Sequence, residues 1–180
     1  MSAGATLVLG GARSGKSLYA ERMVTASGLE PVYVATYRPM GEMGEDAEME
    51  ARIAAHRSRR GPPWRNLEAP VELAATIRRE SGEGTYLLVD CLTLWLTNLL
   101  LGGADLDAAA VELTQTIGEA GGSLVLVANE VGLGIVPENA LARRFRDAQG
   151  RLNQDIAAVA DTVVFMAAGL PMAFKGKLPS

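Results

Sequence analysis

Short apolar runs alternate along this chain with longer stretches in which apolar positions return every three or four residues. Ala5–Leu9 is apolar and ends in Gly10-Gly11, which predicts a buried strand running into a turn. A helix is expected over Ser17–Ser27, ended near Gly28, and a second strand over Pro31–Thr36. Met40–Ala55 is polar and acidic, with helical character in its second half, and Gly61-Pro62-Pro63 breaks it. Val71–Arg79 reads as an amphipathic helix with Val71, Leu73, Ala74 and Ile77 on one side. Tyr86–Val89 is a third strand ending in Asp90. Leu92–Leu101 and Leu106–Ile117 are helices separated by Gly102-Gly103, and Ser123–Ala128 is a fourth strand. Asn129–Val136 is a glycine-containing loop. Pro137 suits a helix N-terminus. The helix after it repeats Leu141, Phe145, Ala148, Leu152, Ile156 and Val159, and Thr162–Ala167 is the last strand expected.

Strands that are apolar throughout and separated by helices predict an α/β fold: a mainly parallel open sheet with helices on both faces. The 180 residues suit one domain spanning 1–180, and no repeat or linker divides them.

The first turn carries chemistry. Gly10-Gly11-Ala12-Arg13-Ser14-Gly15-Lys16-Ser17 matches G-x-x-x-x-G-K-[ST], between a predicted strand and a predicted helix. Glycines let the backbone bend so that successive N–H groups face phosphate oxygens, and the helix beginning near Lys16 adds its positive end. Lys16 would reach the β- and γ-phosphates, and the Ser17 hydroxyl would bind Mg²⁺. The motif therefore narrows the fold class to P-loop NTPase-like.

Composition sharpens this reading at one point. Of the 17 basic residues only Lys16, Lys175 and Lys177 are lysines, so Lys16 is the sole lysine in the body of the chain. A net charge of -4 gives no drive toward nucleic acid or an anionic membrane. The lone Cys91 excludes an internal disulfide and a thiolate zinc cluster, and no signal peptide or membrane span is evident, which together suggest a cytoplasmic protein.

Two further positions could serve the phosphate loop. Asp90 ends an apolar strand, where a carboxylate can hold Mg²⁺ directly or through water; any strand can also end in Asp. His56, the only histidine, precedes Arg57, Arg59 and Arg60. These residues can form a cationic helix end that complements the dipole. Alternatively, a neutral imidazole attacks phosphorus while the arginines stabilise the developing charge. Glu130 reads as a loop carboxylate capping nearby N–H groups. Trp64 and Trp95 read as packing residues that could also stack on a base.

Motifs beyond the loop run nearly end to end: Tyr33-Val34-Ala35-Thr36, Asp46, Glu48-Met49, Arg52-Ile53, His56, Arg60, Trp64, Glu68, Pro70, Val89-Asp90-Cys91-Leu92-Thr93, Trp95 to Leu99, Asn129 to Pro137, Ala142 to Asp147 and Gly150 to Gln154. In these the chain resembles the bifunctional adenosylcobinamide kinase/adenosylcobinamide-phosphate guanylyltransferases of cobalamin biosynthesis. The resemblance implies phosphorylation of the aminopropanol hydroxyl of adenosylcobinamide. It also implies transfer of GMP from GTP to adenosylcobinamide phosphate, with release of pyrophosphate. It implies that His56 becomes guanylylated, and that Ala35, Thr36, Tyr37, Arg57, Ser58, Arg59, Arg60, Glu68 and Asp90 contribute to the GTP site. It implies GTP, with ATP an alternative for the kinase step, Mg²⁺, and a homotrimer. The segment Tyr37–Gly44 is longer than the family pattern, and Gly61 stands where proline is common. A one-step small-molecule kinase and a nucleotide-dependent binding module stay open as alternatives on the residues alone.

Overall fold

The computed structural model describes residues 4–38 and 60–178. The acidic stretch Met40–Ala55 and His56, Arg57, Ser58 and Arg59 lie outside the described residues. Along the chain come β1 (Ala5–Gly10), α1 (Lys16–Ala26), β2 (Glu30–Ala35), β3 (Arg65–Glu68), α2 (Leu73–Glu80), β4 (Thr85–Asp90), α3 (Leu92–Leu101), α4 (Leu106–Gly118), β5 (Ser123–Asn129), α5 (Ala140–Val159), β6 (Thr162–Ala167) and β7 (Leu170–Lys175). Together the strands form one 7-stranded sheet in the order β3-β2-β4-β5-β1-β6-β7. All pairs are parallel except β6–β7.

The apolar runs are strands because both of their faces are covered. Successive side chains point to opposite sides. On one side Leu7, Val32, Val34, Leu87, Val89, Leu124 and Leu126 meet Leu73 and Ile77 of α2, Leu92 and Leu96 of α3, Leu113 of α4 and Leu152 and Ile156 of α5. On the other, Val8, Tyr33, Leu88, Val125, Val127 and Val164 meet Ala20 and Val24 of α1. The expected parallel sheet with helices on both faces is present, with α1 alone on its side among the described helices. No helix among the described residues is long and apolar enough to cross a membrane.

Three details differ from the sequence expectations. Thr162–Ala167 is not the last strand: the chain turns at Ala168-Gly169 and returns as β7. Both turn residues have positive φ, 51° and 79°, as a two-residue hairpin of this hand requires. A short strand, β3, pairs with β2 at the opposite edge, where only Leu67 carried an apolar signal. Pro137 does not begin α5. Asn139 is its cap, with Oδ1 accepting from the N–H of Leu141 at 2.8 Å and of Ala142 at 3.1 Å.

Candidate active site

The loop Gly10–Ser17 joins β1, which has a parallel neighbour on each side, to α1 at the carboxyl edge of the sheet, where open α/β sheets gather ligands. Gly10 is required by space and by conformation. Its φ is 151°, and a Cβ there would lie 2.4 Å from the Met166 carbonyl oxygen. Gly15 caps α1 with φ 96°, and Arg13 takes φ 56°.

Four carbonyls of the loop region are held by donors. Glu130 N–H donates to Gly10 O at 3.1 Å, Gly169 N–H to Ser14 O at 3.0 Å and Tyr19 N–H to Gly15 O at 3.0 Å. Lys16 Nζ donates to Gly11 O at 2.5 Å and lies 3.4 Å from Ser14 Oγ. A peptide is planar, so fixing a carbonyl fixes the N–H opposite it. The amides of Gly11, Ala12, Gly15 and Lys16 are therefore set before any anion arrives. Lys16 and Ser14 are buried, while Gly11, Ala12 and Arg13 are exposed and Ser17 is half-buried. The ammonium thus stays inside the loop, at the positive end of α1.

Residues far apart in sequence meet along the same edge of the sheet as this loop. Ala35 pairs with Glu68 on one side and with Asp90 on the other, so the ends of β3, β2 and β4 stand abreast. Asp90 in turn pairs with Val127 of β5, which pairs with Val8 of β1. The carboxylate strand is thus separated from the loop strand by one intervening strand. Burial, and after it the charge of Asp90, pushes the Cys91 thiol up to about 11, while Lys16 acts on it in the opposite sense. Lys16 and Asp90 are therefore both within electrostatic reach of one sulfur, and the thiol stays protonated near neutrality. Burial and then Asp90 likewise raise the Tyr33 hydroxyl. Ser17 and Asp90 offer hard oxygen donors of the type Mg²⁺ takes. Among the described residues no group of three or more His, Cys, Asp or Glu could hold a metal ion. A cation here would need substrate oxygens or water as well.

Thr36 is fully buried. Its hydroxyl donates to Cys91 O at 2.7 Å and accepts from Cys91 N–H at 2.9 Å. Asn98 Nδ2 donates to Thr36 O at 2.7 Å and to Pro70 O at 2.9 Å. Tyr37 is half-buried beside it and Glu68 is exposed. Arg60 is held between α1 and β2. Its guanidinium pairs with Glu21 of α1 at 3.0 Å and stacks 3.3 Å above the Tyr33 ring, with both ion-pair side chains nearly out of water. Removing one member of a buried pair strands the other charge. Glu21→Ala should therefore lower stability by about 3–5 kcal/mol, read as a fall in the urea midpoint. The double replacement Glu21→Leu with Arg60→Met should recover most of it.

Sequence reasoning missed several polar contacts at this edge. Asn129 N–H donates to Thr93 Oγ1 at 2.8 Å, and Asn153 Nδ2 reaches Asn129 O at 3.3 Å. Gln149, fully buried, donates to Asn153 at 2.9 Å. The run Leu141 to Val159 hid them, because Gln149 and Asn153 fall on the buried side of α5. Glu130 caps as expected, accepting from Gly132 N–H at 2.5 Å. Trp95 is buried, with its indole N–H on Val71 O at 2.9 Å, and Trp64 packs on the α1 side of the sheet.

The family described as cobinamide kinase / cobinamide phosphate guanyltransferase matches residues 6–174. The bifunctional adenosylcobalamin biosynthesis protein CobP of Pseudomonas aeruginosa is 51% identical over 173 residues, covering 95% of this chain and 97% of that protein. The bifunctional adenosylcobalamin biosynthesis protein CobU of Salmonella typhimurium is 40% identical over 184 residues, covering 94% and 98%. A solved structure from Pyrococcus horikoshii OT3 superposes with a TM-score of 0.55 at 10% identity, covering 98% of this chain and 88% of that one. That last likeness concerns the fold alone.

Proposed function

Because this chain belongs to the cobinamide kinase / cobinamide phosphate guanyltransferase family, we propose that both of its transfers use the one phosphate loop, with His56 taking part in the second only. The chain is a bifunctional enzyme of adenosylcobalamin biosynthesis. In the first transfer the aminopropanol hydroxyl of adenosylcobinamide attacks the γ-phosphorus of a nucleoside triphosphate. The γ–β bridging bond breaks, the hydroxyl proton is lost, and the nucleoside diphosphate leaves. ATP or GTP serves this step.

In the second transfer an imidazole nitrogen of His56 attacks the α-phosphorus of GTP, and pyrophosphate leaves. A phosphate oxygen of adenosylcobinamide phosphate then displaces the imidazole. This gives adenosylcobinamide-GDP and restores the histidine. An imidazole with an ordinary pKa near 6.5 is largely neutral, and so nucleophilic, at pH 7–8.

The observation that carries this reading is the anchored loop. Its amides and Lys16 are set to hold a polyphosphate, which is the γ-phosphoryl donor in one step and the leaving pyrophosphate in the other. Ser17 and Asp90 are the residues that would hold Mg²⁺, which neutralises charge on the phosphate oxygens when bound. Ala35, Thr36, Tyr37, Glu68 and Asp90 would border the nucleoside, since their segments end together at the sheet edge that carries the loop. For Thr36 such a contact would come from the backbone N–H, because its hydroxyl and carbonyl are already engaged. Arg57, Ser58 and Arg59 would flank the α-phosphate with His56, and Arg60 would anchor their segment through Glu21. The homotrimer that the resemblance implies would cover the exposed apolar row Leu170, Met172 and Phe174 on β7.

The test is turnover of adenosylcobinamide with GTP and Mg²⁺, separating the phosphate and GDP adducts by chromatography. The phosphate adduct should appear first and then decline as the GDP adduct grows. A time course with only one of the two adducts would overturn the two-step reading.

A further inference from the structure

The ladders of β2 end at Ala35, opposite Glu68 and Asp90. Beyond that row one backbone bond and several side-chain bonds hold the three segments. Ala69 N–H donates to Ala35 O at 2.8 Å. The Thr36 hydroxyl holds both the N–H and the carbonyl of Cys91. The amide group of Asn98, on the second turn of α3, has two N–H donors. It places them on Thr36 O and Pro70 O, at 2.7 and 2.9 Å. One nitrogen thus bridges the segment after β2 and the segment after β3, and through Thr36 it reaches the segment after β4. Within the same helix, Thr93 holds Asn129 at the end of β5, and Trp95 holds Val71.

We propose that Asn98 is the positioning residue of the nucleoside end of the site: it sets the relative places of the segments at Ala35–Tyr37 and Glu68–Pro70 without touching the nucleotide. This rests on the reading above that those segments border the nucleoside. The phosphate loop is held by a different set of bonds, from Glu130, Gly169 and Tyr19. Nucleoside recognition and polyphosphate recognition are therefore separable, and Asn98 acts on the first alone.

A carboxylate in place of the amide keeps the shape but removes both donors and turns an oxygen toward two carbonyls. With both bonds lost, binding must order the two segments itself, which should raise the nucleotide Kd roughly tenfold or more. Calorimetric titration of Asn98→Asp with GTP and with inorganic tripolyphosphate reads the effect. The expected result is a GTP Kd raised tenfold or more, a tripolyphosphate Kd within twofold of the parent, and a near-parental kcat at saturating GTP. Asn98→Leu, which drops the donors without adding charge, should behave alike and serves if the Asp variant does not fold. An unchanged GTP Kd, or equal weakening of GTP and tripolyphosphate, overturns the proposal. Glu68→Gln tests the underlying reading separately. If it weakens GTP but the Asn98 variants do not, only the role of Asn98 is lost. If neither Glu68→Gln nor the Asn98 variants weaken GTP, the nucleoside border itself is misplaced and the proposal goes with it.

Discussion

Lys16→Ala should abolish both transfers, lowering phosphoryl and guanylyl transfer by about 10³-fold or more while the protein stays folded. One preorganised charge at a phosphate site commonly contributes 10²–10³ in rate, and in the proposed mechanism the same ammonium faces the triphosphate in both reactions. Its placement is fixed in advance. Gly11 O and Ser14 Oγ hold it within the loop, and burial limits the water that could replace it. Lys16→Arg should restore little, because a planar guanidinium cannot take the compact position of an ammonium between a carbonyl and a hydroxyl. Initial rates of the two adducts check this, with thermal melting as the control for folding. Either reaction persisting above a tenth of the parental rate would count against a shared loop.

His56→Ala should divide the two activities that Lys16→Ala loses together. Formation of adenosylcobinamide phosphate should stay within a few-fold of the parent, whereas the GDP adduct should fall below detection. A transfer through a covalent nucleophile has no path once the nucleophile is gone. With GTP labelled at the α-phosphate, the parent protein should retain label through denaturation and release it in acid, as a phosphoramidate does. The variant should retain none. A GDP adduct formed at a parental rate by His56→Ala would mean direct attack of the acceptor on GTP and would remove the histidine from the mechanism. Loss of both reactions would instead make His56 part of the common phosphate site.

What the sequence disclosed, and what it hid, follows from the range of each signal. Ala5–Gly10, Leu92–Leu101 and Thr162–Ala167 were legible because their apolar patterns are local and end at glycines or polar residues. The strand Arg65–Glu68 was not. It lies at an edge and carries one apolar residue, so only its ladder to Val32–Ala35 makes it a strand. The strand Leu170–Lys175 was masked by Pro171, which an edge strand tolerates. The strand order was unreadable, since β1 sits between β5 and β6, both more than a hundred residues later in the chain. The phosphate loop was legible for the opposite reason, as its eight residues are contiguous. Asn98 was visible only as part of a family motif, because its partners Thr36 and Pro70 are 62 and 28 positions away. Arg60 shows what a residue type leaves open. A cluster of arginines near a phosphate site suggests anion contacts, but a guanidinium can equally be enclosed by a carboxylate and a ring, as Glu21 and Tyr33 enclose this one.

The bond from Gly169 to Ser14 has a consequence for how the protein is made. Residues 10–17 leave the ribosome long before the amide that braces their carbonyl, which lies more than 150 positions later in the chain. The strand that leads into them also waits for β5 and β6 to arrive on its two sides. A nascent chain halted before the β6–β7 hairpin would therefore carry every residue of the motif and still hold nucleotide poorly. Ligand grip would then follow closure of that hairpin, and earlier folding would have to proceed without its support.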